Sequence, residues 1–313
     1  MIITDDITFD YELLTPQVHE NMAIIPIKTT PNYKLDMITL KKALELGLAE
    51  VKECEQSIVN TLIVKNNAVT PLILIDGEEV IGGDQNRLVN STILVAPKSE
   101  MKIPVSCTER GRWAYKSEFK DSEYIANYET RRAKMSAIRL KKPVQNTVWS
   151  SIDCLEDVNE YKSPTSAMTE SYDNLKIDHN NFIKAFTIEN DQNGIVIILN
   201  GEIKGFELFL NSEIYKEFHE KILKSYLIDA KNENTTFSIN IDEIKLVLDN
   251  AIASNFEKKE SEGLEEAYEF ENESGFGKLY SYSQEIIHWS YFKQIEDKIN
   301  NQTEEDGELV HYY

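Results

Sequence analysis

Apolar and polar positions change rhythm several times along this chain. In LDMITLKKALELGLAE (35–50), Leu40, Ala43, Leu44 and Leu48 recur at helical spacing and Gly47 is a stop signal, which predicts one short amphipathic helix. The segments SIVNTLIV, TPLILI, RLVNSTILVA and MKIPVSC then alternate or run apolar between turn residues, so a β-rich unit extends to about Trp113. From 120 to 187 the period becomes helical. NYETRRAKMSAIRL, then PVQNTVWSSIDCLEDVNEY with Pro143 at a first helical position, then TSAMTESYDNL starting at Thr165 or Ser166, read as helices.

Strand patterns return at 195. IVIILNGEIKGFELFL predicts a hairpin turning at its Asn-Gly pair, and SEIYKEFHEKILKSYLIDA (212–230) a long helix capped by Ser212, with an apolar stripe from Ile214 to Leu227. GKLYSYSQEIIHWSYF predicts a second strand pair. The acidic stretch 254–274 is expected as a solvated excursion and 294–313 as a frayed helix or tail. The order gives an α+β fold with mainly antiparallel sheet: a β-rich unit over 1–118, a helical segment over 119–190, and an α+β hairpin-helix-hairpin unit over 191–313, packed together as three units or as one compact domain.

Composition narrows the function classes. The 313 residues carry 41% apolar side chains, enough for a real core, and no apolar run long enough to span a bilayer. An acidic opening, MIITDDITFDYELL, is unlike a signal peptide, so a cytoplasmic location is expected. Three cysteines without CxxC spacing exclude a disulfide scaffold and a thiolate zinc site; they are expected as small buried hydrophobes. A net charge of −21 disfavours nucleic acid and anionic membranes as partners, but leaves room for a small anion in a local pocket. All six arginines fall between Arg87 and Arg139 while 27 lysines are spread along the chain, so the planar cation suited to phosphate is confined to one region.

That region holds the candidate chemistry. DGEEVIGGDQNRLVN (76–90) breaks an apolar sheet with more carboxylates, amides and glycines than a turn requires. Asp76, Glu78 and Glu79 close one strand, Gln85, Asn86 and Arg87 follow a Gly82-Gly83 turn, and Asn90 lies on the next strand. A carboxylate, amide and guanidinium set suits a sugar hydroxyl and a phosphate together, and Asp76 with Glu78 would suit Mg²⁺ or Mn²⁺. The competing reading is an ordinary hairpin turn with exposed strand residues. IPVSCTERGRWAY (103–115) adds Glu109, Arg112 and Trp113, an anion clamp beside a stacking surface, against the plainer reading of a strand end with an arginine on a tryptophan. Cys107 is expected in the core, and His288 as a satisfied histidine on a strand.

These strings carry a resemblance. LILIDGEEVIGGDQNRLVNSTILV, IPVSCTERGRW, SPTSAM, LKSYLIDA and IIHWSYF together resemble the ADP-ribosylglycohydrolase- and rhodanese-phosphatase-associated protein domain family, over about 35–230 and again near 275–292. Its motif positions fall on Asp76 to Glu79, Gln85 to Arg87, Asn90, Cys107, Glu109 and Gly111 to Trp113. Gly82-Gly83-Asp84 departs from the lysine-bearing string usual there, and the acidic insertion at 254–274 looks peculiar to this chain. The resemblance implies a link to NAD and ADP-ribose metabolism, hence a small anionic nucleotide as partner.

Two readings follow. In the first, the protein is an enzyme on ADP-ribose or a related NAD-derived nucleotide, with metal assistance as one route. Glu78, Glu79 and Glu109 are its acid, base or metal-ligand groups, Arg87 and Arg112 hold the diphosphate, Gln85, Asn86 and Asn90 read sugar hydroxyls, and Trp113 stacks on the base. In the second, the same pocket belongs to a non-catalytic module that binds or sequesters such a ligand in a stress or defence pathway. A third, plainer reading is a protein-interaction subunit whose partner covers the arginine region.

Overall fold

The computed structural model describes residues 2–4, 7–32, 34–54, 59–175, 179–230 and 237–294. The tail expected at 294–313 lies outside them beyond residue 294. In chain order the elements begin with β1 (Ile2–Thr4), β2 (Ile7–Thr8), β3 (Asp10–Leu13), β4 (Gln17–His19), β5 (Met22–Thr30), β6 (Ile38–Thr39), α1 (Leu40–Glu45), β7 (Ala49–Glu53) and β8 (Thr61–Asn66). Then come β9 (Leu72–Leu74), β10 (Glu78–Ile81), β11 (Arg87–Val89), β12 (Ile93–Val95), β13 (Ser99–Cys107) and β14 (Lys120–Ile125). Four helices follow: α2 (Tyr128–Arg139), α3 (Val144–Val158), α4 (Met168–Asp173) and α5 (His179–Lys184). The C-terminal part holds β15 (Gly194–Leu199), β16 (Glu202–Leu208), α6 (Ser212–Leu227), α7 (Ile241–Ile252), β17 (Glu257–Lys259), β18 (Glu266–Asn272), β19 (Gly275–Tyr282) and β20 (Glu285–Lys293).

The fold is α+β, and apart from the parallel β6·β9 pair its strands pair antiparallel. A nine-stranded sheet runs β17-β18-β19-β20-β16-β15-β5-β3, with β4 also on β5. It joins the chain's beginning to its end and so crosses the boundary expected at 118. Strand β15 is buried at every position because both sheet faces are covered, one by a core that includes α6 and the other by a core that includes α7. A six-stranded sheet, β14-β10-β11-β13-β8-β7, and a three-stranded one, β12-β9-β6, build the N-terminal β unit around a separate core.

Local chemistry accounts for most of these elements. Asn200 and Gly201 both take positive φ, +53° and +81°, the conformation that a tight hairpin between β15 and β16 needs. Asn211, one residue before the expected Ser212, caps α6 by accepting from the backbone N–H of Glu213 and Ile214. Only Leu40–Glu45 of the helix expected over 35–50 forms, because β6 and β7 claim its flanks for sheet pairing.

The acidic 254–274 stretch is not a solvated excursion. It supplies β17 and β18 to the edge of the large sheet, and the Glu265 carboxylate pins the preceding loop to β12 by accepting the Leu94 N–H at 2.7 Å. Among the described residues no helix is long and apolar enough to cross a membrane.

Sheet packing is tight at Gly205 on β16, where an added Cβ would meet the Tyr291 carbonyl oxygen of β20 at 2.0 Å. Gly205→Ala is expected to cost on the order of 3 kcal/mol in urea unfolding. A midpoint equal to that of the unaltered protein would show that β16 and β20 can part at no cost.

Candidate functional site

Segments 76–90 and 106–113 converge, as their polar content suggested. β10 pairs with β11, β11 pairs with the end of β13 through Arg87 and Cys107, and the Thr108 N–H donates to the Asn86 carbonyl at 3.0 Å. The turn between β10 and β11 needs its glycine at 82, where φ is +129° and a Cβ would stand 2.5 Å from the Glu118 carbonyl oxygen.

Arg112 binds this convergence together. Its Nε and Nη2 donate to Glu109 Oε2 at 2.9 and 2.6 Å, Nη1 to the carbonyls of Gly83 and Ala114 at 2.7 and 2.8 Å, and Nη2 also to the Gly82 carbonyl and Asn86 Oδ1. The guanidinium thus acts as a staple between two loops. Gln85 donates to the Glu109 carbonyl, Arg87 pairs with Glu53 at 3.2 Å, and Ser106 donates to Asn90 at the edge of the cluster. Trp113 points outward at 61% exposure, and Arg110 is engaged by Asp153 and lies over the Trp149 ring. Cys107 is buried as expected, whereas Cys154 is exposed.

Asp76 belongs to a different network. Its backbone N–H donates to Thr92 Oγ1 at 3.0 Å, Thr92 meets His288 Nδ1 at 2.6 Å, and His288 Nε2 meets Glu207 at 2.9 Å. Glu207 accepts from Arg131 at 2.6 Å, and Arg131 closes the ring on the Asp76 carboxylate at 3.5 Å, where Lys134 also donates. Thr92 offers His288 a hydroxyl proton and Glu207 takes the Nε2 proton, the tautomer in which each group has a complementary partner. Burial raises Asp76 and Glu207, but Lys134 and Arg131 beside Asp76, and Arg131 beside Glu207, leave both carboxyls below the usual carboxylate range. His288 therefore reaches the candidate region, as a member of this buried ring.

Glu78 faces a third partner set. Its Oε1 accepts from Lys221 at 2.9 Å and its Oε2 from the Ile75 N–H at 2.8 Å, while Lys221 also reaches Asp121 at 2.5 Å. Burial lowers the Lys221 ammonium, but Glu78 and Asp121 outweigh it and raise it above its ordinary value. Asp76 and Glu78 thus turn to separate lysines, and a divalent cation at either would have to displace an ammonium; Lys221 serves two carboxyls, and burial raises the Glu78 carboxyl above its ordinary value. Their donor set does not fit Mg²⁺ or Mn²⁺, and among the described residues no group of three or more His, Cys, Asp or Glu is arranged for a metal.

Glu79 stands apart from these paired acids. It is fully buried, and among the described residues no lysine or arginine pairs with it. Hydroxyls hold it instead: Thr108 donates to Oε1 at 2.6 Å and Thr169 to Oε2. Burial pushes its carboxyl up to about 7, against the pull of these hydroxyls. On the other side of Thr108, Glu109 accepts from Thr165 at 3.0 Å, and although burial raises it, Arg112 holds its carboxyl below the usual range. Burial thus raises one of these carboxyls to about 7, while Arg112 holds the other below the usual carboxylate range.

Sequence reading missed Thr92, Thr108, Asp121, Lys134, Thr165, Thr169, Glu207 and Lys221. The lysines left a trace: Lys134 follows Tyr128 and Arg131 on a face that ends in buried Met135, and Lys221 lies between Phe218 and Ile222 in an apolar stripe. A charged residue at core spacing implies a buried counter-ion. The threonines left none, because which hydroxyl meets a carboxyl depends on how distant segments pack.

Lys134→Met and Lys221→Met are each expected to cost about 3 to 5 kcal/mol, since each strands a buried carboxylate; chemical denaturation measures the loss, and values within about 0.5 kcal/mol of zero would show surface-like pairs. The raised Glu79 carboxyl binds its proton more tightly folded than unfolded, so its contribution to stability falls as pH rises from about 4.5 to about 7. Glu79→Gln should therefore raise the melting temperature more at pH 8 than at pH 5. Asp229, also pushed by burial to about 7, and Glu78 and Glu265, which burial likewise raises, contribute to the slope that remains.

No curated protein and no solved structure matches this chain. The family model for ARPP-1, the ARG and Rhodanese-Phosphatase-superfamily-associated Protein domain, matches residues 10–292. Since that match spans nearly all of the fold described, the chain belongs to the ARPP-1 family.

Proposed function

We propose that the protein is an enzyme acting on an ADP-ribose conjugate or a related NAD-derived nucleotide, which it hydrolyses at ribosyl C1 with Glu79 as general acid and Glu109 as its ionised partner. The observation that carries this reading is the split between the two carboxyls: one unpaired, held by hydroxyls and poised at about 7, the other fixed as a carboxylate by Arg112. Acid–base hydrolysis of a glycosidic bond needs such a pair. In a ribosyl substrate that carries a group on its C1 oxygen, as phosphorylated ADP-ribose can, the C1–O bond breaks with its electrons on the oxygen, Glu79 supplies the proton of the departing group, and water supplies the new C1 hydroxyl. Glu109 offsets the positive charge that builds at C1 and takes the proton of the entering water. The family's association, as the sequence resemblance implied it, supplies the substrate class and no more.

Within this proposal Asp76 and Glu78 are supports that fix β10, and the chemistry is assigned no metal at their oxygens. Gln85, Asn86 and Arg87 brace the turn that carries the site, and Trp113, with its face in solvent, is the group available to stack on a base. A second reading, a non-catalytic module that binds such a ligand, draws on a specific observation: Glu79 has no exposed surface and the Arg112 donors are spent within the protein.

Incubation with NAD, ADP-ribose and phosphorylated ADP-ribose, with and without Mg²⁺ or Mn²⁺, followed by mass spectrometry, separates the readings. A new product is expected, with kcat reduced about 10²- to 10⁴-fold in Glu79→Gln. The rate should fall as pH rises through about 7, because the acid must be protonated to act. Ligand retained unchanged on the protein would leave the binding module, and a product formed equally well by Glu79→Gln would remove Glu79 from the chemistry.

A further inference from the structure

The segment 163–169, Ser-Pro-Thr-Ser-Ala-Met-Thr, lies over the carboxyl pair and puts one threonine hydroxyl on each carboxyl. Thr169 donates to Glu79 and Thr165 to Glu109, so a single short stretch satisfies both groups. Up to Ala167 it is laid down like an added strand, and from Met168 it becomes the first turn of α4: the Gly111 N–H donates to the Thr165 carbonyl at 2.8 Å, the Met168 N–H to the Thr108 carbonyl at 2.9 Å, and Glu109 and Ala167 form an antiparallel bridge. Close approach depends on Gly111, where a Cβ would stand 2.9 Å from Thr165 Cα. At its crest Ser166 holds a φ of +47°, a conformation that costs a non-glycine residue energy and persists only where the surroundings enforce it. Thr165, Ser166 and Thr169 are half-buried while the carboxyls beneath are buried, so this strap separates the pair from solvent.

We propose that the strap is a resting-state cover whose Thr169 and Thr165 hydroxyls occupy the places of the two reacting oxygens, and that the ribosyl ligand displaces it on entry. The assignment rests on the reading of Glu79 and Glu109 as the acid–base pair. An acid that protonates a leaving oxygen must donate to that oxygen, and Thr169 Oγ1, which in the resting state donates to Glu79 Oε2, fills the position that oxygen would take. A carboxylate that receives a proton from water must hold that water, and Thr165 Oγ1 holds that position on Glu109. On entry a leaving oxygen that accepts from Glu79 takes the place of Thr169, reversing the direction of that hydrogen bond, and a water that donates to Glu109 takes the place of Thr165, so each buried carboxyl keeps a partner after exchange. The strap thereby explains how Glu79 is both sealed and poised. It also names what is recognised: an oxygen-linked ribosyl group.

Thr165→Val with Thr169→Val keeps the shape of the strap and removes both hydroxyls; Gly111→Ala pushes the strap outward by a separate route. Carbodiimide coupling of carboxyls to glycinamide, mapped by peptide mass spectrometry, reads exposure of Glu79 and Glu109 without any ligand. Calorimetric titration with ADP-ribose reads affinity, and far-UV circular dichroism checks that each variant is folded. Coupling at Glu79 is expected to rise at least tenfold in both variants and ADP-ribose affinity about tenfold, while ADP-ribose speeds amide exchange over 165–169 in the unaltered protein. Coupling that stays unchanged in both folded variants, or amide exchange over 165–169 that slows on ADP-ribose binding, would make the strap a permanent wall and overturn the proposal. If coupling rises but ADP-ribose binds neither the variants nor the unaltered protein, the strap remains a cover and it is the ADP-ribose reading that fails.

Discussion

A closed ring of buried charge holds the two halves of this protein in register. Asp76 and Thr92 come from the N-terminal β unit, Arg131 and Lys134 from α2, Glu207 from β16 and His288 from β20, and all six are buried. Two carboxylates, Asp76 and Glu207, face two cations, Arg131 and Lys134, in this ring. Taking such groups out of water is costly, and their attraction repays the cost only when every partner is present with good geometry. The ring is therefore a poor source of net stability but a strict condition on arrangement. A shift of α2 or a slip of β20 would leave a bare charge in the core, so each such alternative is penalised strongly.

Around that fixed frame, buried acids are treated in two ways. Asp76, Glu78, Glu109 and Glu207 each have a cation at hand. Glu79, on the same short strand as Glu78, has hydroxyls only. A buried carboxyl without a cation is a standing cost at neutral pH, and the fold tolerates it although four other buried acids are each supplied with a lysine or arginine. Glu156 and Glu265 are also buried without a cation among the described residues, but backbone N–H groups donate to both, whereas Glu79 is held by threonine hydroxyls, the less complete compensation and the one suited to a group kept for its chemistry. The braces are visible: Arg112 ties the loops on one side, and the Lys221 bridge fixes the strand on the other.

Much of the fold was legible in the sequence because its signals are local. The Asn200-Gly201 hairpin, the apolar stripe of α6, helices α2 and α3, and the β19–β20 pair all follow from turn chemistry and periodicity over a few residues. The failures share a cause. The helix expected over 35–50 shrank to Leu40–Glu45, and the acidic 254–274 stretch became sheet, because strand partners distant in sequence outweighed local preference. Within the candidate site, the meeting of 76–90 with 106–113 could be foreseen from composition, since both stretches spend polar residues where strands should be apolar.

The sequence by itself determined the α+β class, the positions of most helices and hairpins, and the neighbourhood in which unusual polar residues gather, since each of these is set by side-chain period, turn residues or local composition. Only the tertiary structure decided which acid meets which cation. Glu78 and Glu79 are adjacent in the chain and identical in type, but alternate strand residues point to opposite faces, so one finds Lys221 and the other Thr108 and Thr169. The difference between a structural ion pair and a carboxyl poised at about 7 is a matter of which distant segment covers each face, and that information is carried by packing alone.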